Sequence, residues 1–224
     1  MDRRQRKIQD KRKKREQVKK RARLEAARRP SDDLLLVRAG SRAAFGPCFV
    51  SAGWDDTTAA GLVSVVVTRV LAQGELLPHC LLLDRTCLGV KNAMLCAPMT
   101  PDELDEFVES VGLPHGGVEG CDVLLAQSLI FHALDYAKAL GFPPNADFHE
   151  ALVGPRPTEL LPTPWAVAER PIYVRGPDDD PRRIIAQLRQ TVGSAFDYVD
   201  PLAELPEEEA GWALDEGERE SYPG

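Results

Sequence analysis

The sequence has no run of apolar residues approaching the roughly 18 to 20 that a membrane span requires. Its longest candidate, Leu62-Val63-Ser64-Val65-Val66-Val67, is followed closely by Arg69. It has no CxxC pair, and its five cysteines (Cys48, Cys80, Cys87, Cys96, Cys121) are odd in number and stand in apolar surroundings. That argues against a disulfide framework and for reduced, packed thiols in a cytoplasmic protein. Neither glycine-rich phosphate fingerprint occurs, so nucleotide hydrolysis and a dinucleotide cofactor are not expected. His79, His115 and His149 combine with no cysteine at a zinc spacing. Adjacent His79 and Cys80 should point to opposite sides of a strand. Neither metal nor cofactor is therefore expected.

Residues 1–30 lack the apolar stretch of a signal peptide, although their arginines superficially suggest a mitochondrial transit segment; the chain is expected to stay where it is made. This segment holds the most informative feature. It carries 15 Lys+Arg against 4 Asp+Glu, a local charge of +11, whereas the remaining 13 basic and 31 acidic residues give −18. The acid concentrates again at the end: residues 201–224 hold eight Asp+Glu opposed only by Arg219.

Between Arg3 and Arg29 there is no Gly or Pro, and strong helix formers dominate. Ile8, Val18 and Leu24 are too sparse for a core-facing stripe, so residues 1–30 read as a basic helical or disordered arm. Pro30-Ser31-Asp32-Asp33 should end it, 31–46 should be a linker, 47–200 a globular domain and 201–224 an acidic disordered tail.

Within the domain, 47–51, 61–71 and 77–84 read as strands, the last two forming a hairpin across Ala72-Gln73-Gly74-Glu75. Pro78 should sit near a strand start or on an edge. Thr100-Pro101-Asp102-Glu103 opens a helix with a capping box and an N-terminal proline. A long helix is expected over 121–140, a short one over 145–153, and another from Asp180-Pro181 to Gly193. The strand at 171–175 should rejoin the sheet. The expected class is α+β: a small antiparallel sheet of about four strands with three to four helices on one face.

The run from Asp84 through Cys87, Leu88, Gly89, Val90, Lys91 and Asn92 to Ala93, with Ala133-Leu134-Asp135-Tyr136-Ala137-Lys138 and the segment 173–192, resembles a group of bacterial proteins that often begin with a Lys/Arg-rich stretch. The resemblance spans most of 47–199 and implies one domain of bacterial type. The group brings no assigned activity, so no catalytic residue carries over.

Three constellations carry candidate chemistry. Asp84, Cys87, Lys91 and Asn92 place an acid, a thiol, a cation and an amide within a few residues, a set able to bind a polar ligand or perform acid–base catalysis. Against this, Asp84 also suits a turn cap and Cys87 a packed thiol. Ser128, His132 and Asp135 have the residue types of a hydrolase triad, but their spacing puts them side by side on one helix face, with Asp135 and Lys138 as a helix pair. Asp178-Asp179-Asp180 is explained by an N-cap at Asp180 and by acids favoured at a helix N-terminus.

The remaining candidate is the arm. Arg3, Arg4, Arg6, Lys7, Lys11, Arg12, Lys13, Lys14, Arg15, Lys19, Lys20, Arg21 and Arg23 supply what phosphate neutralisation requires, while the absence of aromatics there excludes base stacking. The leading expectation is a non-enzymatic protein binding RNA or the ribosome. The alternatives are a small hydrolase or transferase near Asp84, Cys87 and Lys91, and an interaction domain whose arm and tail regulate each other.

Overall fold

A computed structural model of the chain describes residues 30–56, 61–112, 116–163 and 170–201. The first described residues are helical: α1 spans Pro30–Gly40. Helix α1 thus occupies much of the segment 31–46 that was expected as a linker. Asp32 and Asp33 stand near its first described turn and Arg38 in its last, charges that suit the helix dipole. A side chain at Gly40 would run into Leu152 and Leu77, so the helix end lies tight against the body. Two short strands follow, β1 (Ala44–Phe45) and β2 (Cys48–Ser51).

Strands β3 (Leu62–Val70) and β4 (Leu76–Asp84) form the expected hairpin, in register from Leu62 opposite Asp84 to Val70 opposite Leu76. Gly74, with φ +80°, supplies the turn conformation that other residues avoid. Pro78 is the third residue of a central strand. Its carbonyl accepts the Cys96 N–H, and it lies just beyond the last β4–β5 pair, His79 opposite Leu95. The ladder to β5 thus stops at the residue that has no N–H to give. Strand β5 (Gly89–Leu95) carries Lys91 and Asn92 of the candidate set. Its register shifts between Leu82, opposite Asn92, and Leu83, opposite Val90, so Lys91 is the extra residue of a β-bulge.

Helix α2 (Pro101–Gly112) has its capping box: the Thr100 N–H donates to Glu103 Oε2 at 2.9 Å and the Glu103 N–H to Thr100 Oγ1 at 3.4 Å. Strand β6 (Val118–Cys121) then pairs with β2, and α3 (Val123–Ala139) follows. The main sheet runs β5-β4-β3-β2-β6, with β1 also beside β3, six strands in place of about four, all antiparallel. Its helices cover both faces, which corrects the one-face expectation. Val63, Val65, Val67, Leu81 and Leu83 pack with Leu129, Ile130 and Ala133 of α3. Val66 and Cys80 face the other way, against Leu104, Phe107 and Val108 of α2. Alternation along one strand feeds both layers, each fully buried Val or Leu contributing roughly 1.5–3 kcal/mol.

Of the helix expected over 145–153, one turn forms, α4 (Glu150–Val153). Strand β7 (Ile172–Val174) does not rejoin the main sheet; after α5 (Pro181–Val192) it pairs parallel with β8 (Asp197–Val199). A separate small core seats this module, with Tyr173 and Leu188 packing on Cys87 and Leu140. Thr191 Oγ1 donates to the Leu140 carbonyl at the end of α3. No helix among the described residues is long and apolar enough to cross a membrane.

Candidate functional site

The β4–β5 turn is built around Asp84. Its Oδ1 accepts the Thr86 N–H at 2.8 Å, the Thr86 hydroxyl at 2.7 Å and the Cys87 N–H at 3.0 Å. A buried carboxylate that closes a turn in this way has one oxygen fully engaged by the chain itself. Next to it, Arg85 is 1% exposed and donates from Nη1 to the Trp54 carbonyl and from Nη2 to the Asp56 carbonyl, both at 2.8 Å. Burial lowers its pKa, and the charges of Asp56 and Asp55 act against that. The guanidinium anchors the loop after β2. Gly89, with φ +66°, brings the turn so close to α3 that a Cβ would collide with the Ala133 carbonyl and the Ala137 methyl.

The Cys87 thiol is buried, and desolvation first, then the Asp84 charge, pushes its pKa up. Tyr136, whose hydroxyl donates to the Thr86 carbonyl at 3.1 Å, is pushed up to about 12, by burial first and then by Cys87 and Asp84. Both shifts favour the protonated forms, so burial works against a thiolate at Cys87.

Lys91, the bulged residue, makes its direct contacts with the 176–180 loop, while its charge still acts on the Cys87 thiol. Its Nζ lies 3.1 Å from Asp179 Oδ2 and donates to the Val174 carbonyl at 3.3 Å. The same Asp179 oxygen accepts the Gly176 N–H at 2.7 Å and the Tyr173 hydroxyl at 3.2 Å. Lys91 and Asp179 side chains are 15% and 13% exposed, so the pair is mostly shielded from water. The bulge carbonyls are satisfied too: Asn145 donates its N–H to Val90 and its amide to Lys91. Asn92 is exposed and accepts the N–H of Ala93. The four residues named from the sequence thus divide. Asp84 and Cys87 belong to one turn, Lys91 joins the 176–180 loop, and Asn92 faces solvent.

Asp179 and Tyr173 were not singled out as site residues in the sequence. The acidic run pointed to a helix start, and Asp180 does cap α5, accepting the Arg183 N–H at 3.2 Å. Nothing local reveals that its neighbour closes a contact with β5.

Ser128 and His132 both hold the backbone of Leu161, whereas Asp135 pairs elsewhere. Ser128 Oγ donates to the Leu124 carbonyl and accepts the Leu161 N–H at 2.9 Å, His132 Nε2 lies 3.0 Å from the Leu161 carbonyl, and Asp135 takes a two-pronged contact from Arg156. Arg156, not Lys138, is the principal partner holding the Asp135 pKa down. His79 and Cys80 lie in different layers, His79 against Phe148 and His149, Cys80 in the core under α2. Among the described residues no three His, Cys, Asp or Glu side chains gather as metal ligands. The thirteen arm cations from Arg3 to Arg23 lie outside the described residues, as does the acidic tail from 202 onward.

No protein-family model, curated protein or solved structure matches the chain.

Proposed function

We propose that the chain is a non-enzymatic polyanion-binding protein that engages structured RNA, on its own or in the ribosome, through the cations of residues 1–30. The observation carrying this reading is the segregation of charge: 15 of the 28 Lys and Arg residues stand in that segment, leaving −18 on the rest. Fifteen cations suit a phosphate backbone, and the acidic remainder discourages unspecific contact of the folded body with the same ligand. The division of the Asp84, Cys87, Lys91 and Asn92 set, with burial working against its thiolate, supports this reading over a hydrolase or transferase at that place.

The test is binding of a labelled structured RNA to the full chain, to a form lacking residues 1–30 and to a full-length variant with Lys13, Lys14, Arg15, Lys19, Lys20 and Arg21 changed to Gln. A protein making 6–10 phosphate contacts should lose roughly 10³–10⁵ in affinity between about 50 and 200 mM salt. Both altered forms should bind weakly and with a shallower salt slope. Equal retention of RNA by all three removes the proposal.

A further inference from the structure

Cys80 of β4 stands directly opposite Met94 of β5. Cys96 follows two residues after Met94 and so projects from the same face of the sheet. Met99 is opposite Leu76, four residues before Cys80 and again on that face. The two methionines among the described residues and two of the five cysteines therefore share one side of one strand pair. The Cys80 and Cys96 sulfurs are 3.8 Å apart. Cys80, Cys96 and Met99 lie in the core layer under α2, whereas Met94 is 39% exposed at its rim.

We propose that this sulfur cluster binds one soft monovalent cation, Cu(I) or a chemical equivalent, through the thiolates of Cys80 and Cys96 and the Met94 thioether. Thiolate and thioether donors select soft cations, and with no third thiolate, imidazole or carboxylate gathered there among the described residues, the set does not build a four-coordinate zinc site. The spacing fits: two sulfurs 3.8 Å apart can each lie about 2.3 Å from a first-row cation between them, subtending roughly 110°. Binding replaces two S–H bonds with two metal–sulfur bonds and releases two protons to solvent, with no change of oxidation state. Met94, directly opposite Cys80, is the one of the three that reaches solvent.

The other thiol pair provides an internal comparison. Cys48 and Cys121 are directly opposed on β2 and β6, packed in the layer under α3, away from both methionines. Cys87 is in the small third core.

The experiment is an anaerobic titration of the full chain with Cu(I) against a chromophoric copper chelator. The expected result is one Cu(I) withheld from the chelator per chain, lost in C80S and in C96S and retained in C87S and C121S. X-ray absorption of the loaded protein should show sulfur neighbours only, and M94L should keep the stoichiometry with lower affinity. The proposal is overturned if no Cu(I) is withheld, if C80S and C96S bind as the parent does, or if C121S removes the site. Should the serine variants fail to fold, M94L decides, and unchanged affinity there overturns the assignment.

Discussion

Lys91 Nζ lies 3.1 Å from Asp179 Oδ2, across 88 residues of sequence, and this contact fastens the β7–α5–β8 module to the main sheet. Replacing Asp179 by Ala leaves the Lys91 charge, the Tyr173 hydroxyl and the Gly176 N–H without their shared acceptor. The expected cost is about 2–3 kcal/mol, because hydrogen bonds to charged groups each contribute more than neutral ones. Denaturant unfolding measures it, and hydrogen exchange should accelerate in 172–180 ahead of the main sheet. Unchanged protection of that segment would contradict a fastening role.

Gly89→Ala should destabilise the chain by roughly 2–4 kcal/mol, through its left-handed conformation and through collision with α3. Gly74→Ala, also at positive φ but with open space around it, should cost less, about 1 kcal/mol. Thermal or chemical denaturation of the pair separates steric contact from backbone strain. Equal losses would mean that the approach of Ala133 is readily relieved.

His79 is fully buried between Phe148 and His149, beside the backbone of Asp147. Burial first, then the charge of His149, lowers its pKa to about 4. Because the folded value lies below the unfolded value of about 6.5, the unfolded chain binds more protons between the two. This contribution is complete above pH 6.5 and is lost as pH falls toward 4, reaching about 3 kcal/mol. His79→Leu should flatten that part of the acid limb in denaturation measured from pH 7 to 4. An identical limb in the variant would assign the loss to other groups.

The opposite charges at the two ends, +11 in residues 1–30 and −7 in residues 201–224, lead to a further expectation for RNA binding. If the tail competes with RNA for the arm, removing residues 201–224 should tighten binding at low salt and change little at high salt, where both attractions are screened. Titration of labelled RNA at two salt concentrations distinguishes this from a tail that only solubilises, for which the affinities would be the same.

Features with local causes were legible in the amino-acid sequence. The β3–β4 hairpin follows from two β-rich runs around Gly74, and α2 and α5 from caps written at Thr100 and Asp180. The burial of both faces was partly legible as well. An uninterrupted run such as Leu81-Leu82-Leu83 or Val65-Val66-Val67 leaves no polar side for water, which is the mark of a strand covered on both sides.

The tertiary structure alone decided what depends on distant partners. The three-residue β7 pairs with β8 because α5 carries the chain back beside it, and no local pattern encodes that choice. The bulge at Lys91 is a register shift set by two strands together, and the partner it gives the lysine, Asp179, comes from a distant loop. Cys80 and Cys96, sixteen residues apart, meet because β5 folds back on β4. Sequence spacing fixes which residues are neighbours along the chain, whereas the convergence of side chains is fixed by strand register and by the packing of α3 on the turn at Gly89.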